Sequence, residues 1–247
     1  MDEAFGELRR YVQATKVLDA PSLLGLMNRA HGNQPERYVA EWKPYLASFP
    51  LPEFTARTLE ELALLAQLLP VGAPRMFWPR GCIGSMGAHG LAHSRLLQTV
   101  SSLVLREHYV SSSGLHVLLA SPYFAWIHQL NLATNDLHAH DAWRLASSGH
   151  AEKLRVLDLS GNSILDRGVF ALCEGTAGMN LKELYLRHNA ITDRGAMALC
   201  ATSTLPLLTY LDLRGNSLTP RATSFFKDSS HLPAGLTVRL DDCIVER

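Results

Sequence analysis

Leu154–Ile164 reads LRVLDLSGNSI, and Leu181–Ile191, 27 residues further on, reads LKELYLRHNAI. Within each stretch the framework leucines stand two apart, Leu157 with Leu159 and Leu184 with Leu186. That alternation is the mark of a strand with one buried face. An asparagine follows each strand, and Asn135, Asn162, Asn189 and Asn216 recur at the same interval of 27. Aligned outward on the central LxL, the first framework column reads Ala73, Val100, Ile127, Leu154, Leu181, Leu208 and Gly235. The second reads Met76, Leu103, Leu130, Leu157, Leu184, Leu211 and Val238, and the third Trp78, Leu105, Leu132, Leu159, Leu186, Leu213 and Leu240. The alignment needs no insertion or deletion and predicts seven stacked copies of one strand-and-return unit.

The columns between strands have physical reasons. After each strand the chain turns inward and leaves backbone groups that need partners, and an asparagine amide offers both donors and an acceptor. Gly81, His108 and Cys243 occupy that column in the outer copies, as end repeats allow. Asp166 and Asp193 open two returns with a carboxylate near a positive helix end. Gly87, Gly114, Gly168 and Gly195 precede by four an apolar column of Leu91, Leu118, Leu172 and Leu199. A step of four keeps both on one helical face, and glycine there is expected to let the helix approach the sheet.

The combined pattern LxxLxLxxN-x-I-x-D-x-G-x-x-A-L resembles the ribonuclease-inhibitor-like class of leucine-rich repeats, which includes the repeats of Ran GTPase-activating protein and of NOD-like receptors. The resemblance covers residues 73–247. It implies an α/β fold, a right-handed horseshoe solenoid of seven 27-residue repeats, with parallel strands inside and helices outside. The shared motif is all framework, so it carries over no catalytic residue.

Residues 1–72 lack the register and are expected to form an N-terminal helical cap, separate from the repeat domain at 73–247. Phe5, Leu8 and Val12 suggest one helix, and Pro21 opens a second. A third is expected at Arg37–Leu46, with Tyr38, Trp42 and Tyr45 on one side. Thr58 with Glu61 forms a capping-box pattern before a fourth, which Pro70 ends.

Composition narrows the chemistry. Basic and acidic residues balance at 23 each, unlike a nucleic-acid binder with its basic stripe. The chain has no long apolar run and an N-terminus of MDEAFGELRR, so neither a membrane span nor a signal peptide is expected. Cys82, Cys173, Cys200 and Cys243 form no CxxC pair; free thiols and a cytoplasmic location are the reading. Gly81-Cys-Ile-Gly-Ser-Met-Gly87 lacks the Lys-Ser/Thr of a phosphate loop. His89 with His93 and His138 with His140 are pairs only, short of the three or four ligands a metal needs. No metal, cofactor or enzymatic activity is expected.

Surface remains. The strand residues facing the hollow include Phe77, Val104, Asn131, Asp158, Tyr185, Asp212 and Arg239, with Glu183, Arg187, Tyr210 and Arg214 beside them. Asn131, Asp158, Glu183, Tyr185, Arg187, Tyr210, Asp212, Arg214 and Arg239 are the candidate partner-binding set, because aromatics and arginines dominate protein interfaces. The function read from this is a non-enzymatic scaffold holding a partner protein on its concave face. The alternative, implied only by the resemblance to Ran GTPase-activating protein, is regulation of a small GTPase. Trp143, Phe170 and Met197 share one position on successive helices. They are read as filler between helices or, if exposed, as a competing site on the convex face.

Overall fold

The computed structural model describes residues 2–15, 17–31, 42–44, 46, 53–69, 75–175, 180–241 and 243–247. Most of the expected third helix, with Tyr38 and Tyr45, lies outside them, as do Pro70, Ala73 and the side chains of Phe5 and Val12. Contacts divide the chain into two units, residues 1–80 with 95–104, and residues 81–94 with 105–247.

The first unit contains helices α1 (Asp2–Thr15), α2 (Ala20–His31) and α3 (Leu59–Leu68) and strands β1 (Val17–Asp19), β2 (Glu53–Ala56), β3 (Arg75–Phe77) and β4 (Ser102–Val104). All three strand pairs, β1 with β2, β2 with β3 and β3 with β4, are parallel. Leu18, Phe54, Ala56, Phe77 and Leu103 are buried along them. α3 begins as its sequence dictates: the Thr58 hydroxyl accepts the Glu61 N–H at 3.1 Å. The Glu61 carboxylate accepts the Arg57 N–H at 2.7 Å, one residue before the position a capping box uses. Leu62, Leu65 and Leu68 form its buried side.

Two expectations change here. Residues 1–72 are not helical throughout, since β1 and β2 extend the parallel pairing toward the N-terminus. They escape a periodic reading because Leu18 pairs Phe54 and Ala56 pairs Phe77, intervals of 36 and 21. The first framework copy is also displaced. Phe77 pairs Leu103, an interval of 26, so Phe77 occupies the framework position given above to Met76. Phe77 is 4% exposed and Trp78 45% exposed. Trp78 therefore leaves the core, and the Arg57 guanidinium lies 5.0 Å from its ring centre. A one-residue slip turns every side chain of a strand to the other face.

The second unit contains helices α4 (Gly84–His93), α5 (Ser111–Ala120), α6 (Ala139–Ser147), α7 (Leu165–Glu174), α8 (Asp193–Ala201) and α9 (Ala222–Asp228). Its strands are β5 (Gln129–Asn131), β6 (Val156–Asp158), β7 (Glu183–Tyr185), β8 (Tyr210–Asp212), β9 (Thr237–Arg239) and β10 (Ile244–Glu246). β5 to β9 are parallel in the register Leu130, Leu157, Leu184, Leu211, Val238. The framework leucines there are at most 1% exposed, apart from Leu240 at 8%. β10 pairs β9 antiparallel, Val245 opposite Val238, where the repeat pattern reads Val245 only as the apolar residue two places after Cys243.

The asparagine column bonds each turn to the one before it. Asn162 Oδ1 accepts the N–H groups of Asn135 and Leu137, each at 3.0 Å. Its Nδ2 donates to the Leu132 and Leu159 carbonyls at 3.0 and 2.8 Å. Asn216 serves Asn189, Ile191, Leu186 and Leu213 in the same way. The helix-opening aspartates also act between turns. Asp166 accepts the N–H groups of Thr192 and Gly195 and the Thr192 hydroxyl, at 2.8, 3.1 and 2.6 Å, so it caps α8 rather than its own helix. At Gly168 an added Cβ would lie 3.1 Å from Ala142 Cβ and 3.2 Å from Ala139 Cα. The close approach that glycine allows is thus between α7 and α6, not between helix and sheet. Among the described residues no helix is long and apolar enough to cross a membrane.

Candidate interaction surface

Residues that alternate with the framework leucines on β5–β9 point away from the core and stand half-buried or exposed, except Asp212 at 1%. Three of them spend one oxygen on the backbone. Asn131 Oδ1 accepts the Ala133 N–H at 3.0 Å, Asp158 Oδ1 that of Ser160 at 2.9 Å, and Asp212 Oδ1 that of Arg214 at 3.2 Å. Each is an Asx turn that ends its strand. In the same column β7 carries Tyr185, whose hydroxyl donates to Glu183 at 2.7 Å.

The remaining atoms make the surface. Asn131 Nδ2 donates to Asp158 Oδ2 at 3.0 Å. The Tyr185 and Tyr210 rings lie 5.3 Å apart, tilted by 44°. Arg214 grips Asp212 through Nε at 2.9 Å and Nη2 at 2.5 Å. Burial pushes the Asp212 carboxyl upward, but the hydrogen bonds and charge of Arg214, with the charge of Arg187, outweigh it and hold it below the usual range. Burial, then the hydrogen bond to the Glu183 carboxylate, raises Tyr185 well above an ordinary phenol. It remains a neutral donor.

Asp158, Tyr185, Arg187, Tyr210, Asp212 and Arg214 line one concavity of about 400 Å³. Asn131 and Glu183 adjoin it through the bonds just given, whereas Arg239 stands on β9 beside Asp212 and does not line it. Arg187 is the notable cation, because its Nε is buried with no hydrogen-bond partner among the described residues. The wall also includes Arg106, Thr134, Ser160 and His188 from the loops after the strands. Those residues fall three or four places past the middle of each strand, in columns that spacing alone marks as neither framework nor face. The His188 ring lies over Gly215, which leaves it room: with φ at +70°, a Cβ there would fall 2.1 Å from His188 Nδ1.

Elsewhere the chemistry is sparse. Among the described residues no three His, Cys, Asp or Glu side chains are placed to hold a metal ion. His93 Nδ1 lies 2.8 Å from the His89 carbonyl. All four cysteines are free, and burial raises the Cys173 and Cys200 thiols to about 12 each. Trp143, Phe170 and Met197 are 53, 38 and 54% exposed, so they are not filler between helices.

The family described as Leucine Rich repeat matches residues 150–173 and 179–200. Those segments contain β6, β7 and most of α7 and α8. No curated protein matches the sequence. Among solved structures the chain is similar to an internalin (inlF) of Listeria monocytogenes, with 16% identity and a TM-score of 0.43, covering 77% of this chain and 47% of that one. It is also similar to an internalin C2 (inlC2) of the same organism, with 18% identity and a TM-score of 0.43, covering 75% of this chain and 76% of that one. This chain thus spans about half the length of the first of these structures.

Proposed function

We propose that this leucine-rich-repeat protein is a non-enzymatic scaffold and that it holds a partner protein on the strand face of its second unit. The supporting observation is the convergence of Tyr185, Tyr210 and Arg187 on one concavity, beside an Asp212–Arg214 pair that is already satisfied. Two adjacent tyrosines offer large contact area at small entropic cost, and Arg187, which is in no ion pair among the described residues, can take a carboxylate from the other molecule. The arrangement suits a patch of acidic and apolar side chains on the partner.

The test uses Tyr185 and Arg187. Arg214→Ala is unsuitable, because it would leave the buried Asp212 carboxylate without its cation. A photo-crosslinking amino acid at Tyr185 should capture the partner in cell extract. Its affinity for Tyr185→Ala with Arg187→Ala should then fall at least tenfold, about 1.4 kcal/mol, with the melting temperature nearly unchanged. An affinity unmoved by this pair would place the partner elsewhere. Capture of a small GTPase, followed by faster GTP turnover on addition of the chain, would turn the reading to the regulatory alternative.

A further inference from the structure

We propose that the helix face of the second unit is a separate docking site whose occupant is an acidic amphipathic helix of a partner protein. Trp143, Phe170 and Met197 occupy one position on the adjacent helices α6, α7 and α8, each more than a third exposed. Adjoining exposed apolar side chains of this size mark interaction sites. Three residues before each of them stand His140, Arg167 and Arg194, and Arg221 continues that row at the start of α9. Residues three apart are neighbours on a helix surface, so an apolar row runs beside a basic one. The His140 and Trp143 rings show this adjacency, stacked at 5.4 Å.

The guanidinium groups of the basic row hold no carboxylate directly. Among the described residues Arg167, Arg194 and Arg221 take part in no ion pair. The carboxylates beside them in sequence keep their charge but direct it to the next helix: Asp166 to Thr192 and Gly195, and Asp193 to the Thr219 N–H and hydroxyl at 2.8 and 2.6 Å. Charge complementarity therefore calls for an acidic occupant. The apolar row also has depth at one end, where Trp143 with His116, Leu119 and Arg144 lines a concavity of about 410 Å³. A protruding side chain fills such a hollow. Two helix spacings of about 8–10 Å each give the row the length of about 11–13 helical residues. A partner helix laid across α6–α8 matches it, with apolar anchors on the row and Asp or Glu along one flank.

An anionic bilayer is the competing occupant, and the opposite border disfavours it. Glu174 and Asp228 are exposed at the C-terminal ends of α7 and α9, where helix dipoles add partial negative charge. A flat anionic surface meets both borders, whereas a helix presents its carboxylates to one.

A displayed library of short peptides, panned against the whole chain, tests the proposal. Enriched peptides should combine apolar residues at helical spacing with an acidic flank, and should bind more weakly as salt rises. Their affinity should fall at least tenfold in Arg167→Glu with Arg194→Glu, and in Trp143→Ala with Phe170→Ala, and should be unchanged in Tyr185→Ala with Arg187→Ala. The charge-reversal pair breaks no ion pair, so an unaltered thermal melt confirms that it is folded. No enrichment, or enriched peptides that lack the acidic flank or bind both variants normally, would overturn the assignment. So would binding to phosphatidylserine vesicles, absent with phosphatidylcholine and abolished by the charge reversal, which would give the face to a membrane.

Discussion

Asn162 and Asn189 each satisfy buried amides of the turn before them as well as their own turn. Alanine in place of either leaves those groups unpaired, at a cost of about 1–3 kcal/mol each. Denaturant titration should give that loss with an unchanged slope. His108 stands in the same column but bonds differently. It is 4% exposed, and burial lowers its imidazole below the usual value, only partly offset by the Gly81 backbone. Its Nδ1 has no partner among the described residues. The folded state therefore favours the neutral ring. Its contribution is complete above the unfolded pKa of about 6.5 and is lost as pH falls toward the lower folded value. His108→Asn should reduce the fall in stability from pH 7 to pH 5, as followed by thermal melts. An equal fall in both proteins would remove His108 as the cause.

At the level of elements, the spacing of leucines and asparagines was enough to place β4 to β9 at their observed positions and to foresee the returning helices. Bonds between neighbouring turns enforce that spacing, so it shows in one sequence. Where the enforcement lapses, legibility lapses too. β1 and β2 are short, VLD and EFTA, and join their neighbours at intervals that do not recur. The slip at β3 was hidden because Met76 and Phe77 are both apolar, as are Trp78 and Pro79. Mutation distinguishes the two registers. Phe77→Ala should cost about 3–5 kcal/mol through transfer and cavity terms. Trp78→Ala, at an exposed site, should cost less than 1 kcal/mol, allowing about 0.5–1 for the lost contact with Arg57. The opposite order in chemical denaturation would restore the uninterrupted alignment. For the candidate surface, composition marked Tyr185 and Arg187. It could not show that Asp212 and Arg214 were occupied with each other, because that depends on side-chain direction after the strand ends.

Across the molecule, stability in such a stack is nearly a sum of each turn's own contribution and its contacts with adjacent turns. Leu186→Ala removes a fully buried side chain after β7 and should cost about 2–5 kcal/mol. The loss of amide protection should be graded: strongest in β7, smaller in β6 and β8, smallest in β5, as read by hydrogen exchange. A uniform loss would show that the second unit opens only as a whole.

The asparagine bonds also have a direction. Each amide reaches back to the turn before it, and Asn162 closes groups of Asn135, Leu137 and Leu132 that no earlier side chain satisfies among the described residues. On a ribosome, where the chain emerges from its N-terminus, every turn waits for its successor to seal it. The newest turn is always the open one, and growth adds the missing donors and acceptors in order. At the far end β10 folds back on β9, and the Arg247 N–H meets the Leu236 carbonyl at 3.2 Å. There the groups along β9 that a parallel strand seals on β5 to β8 are taken by a strand running the other way.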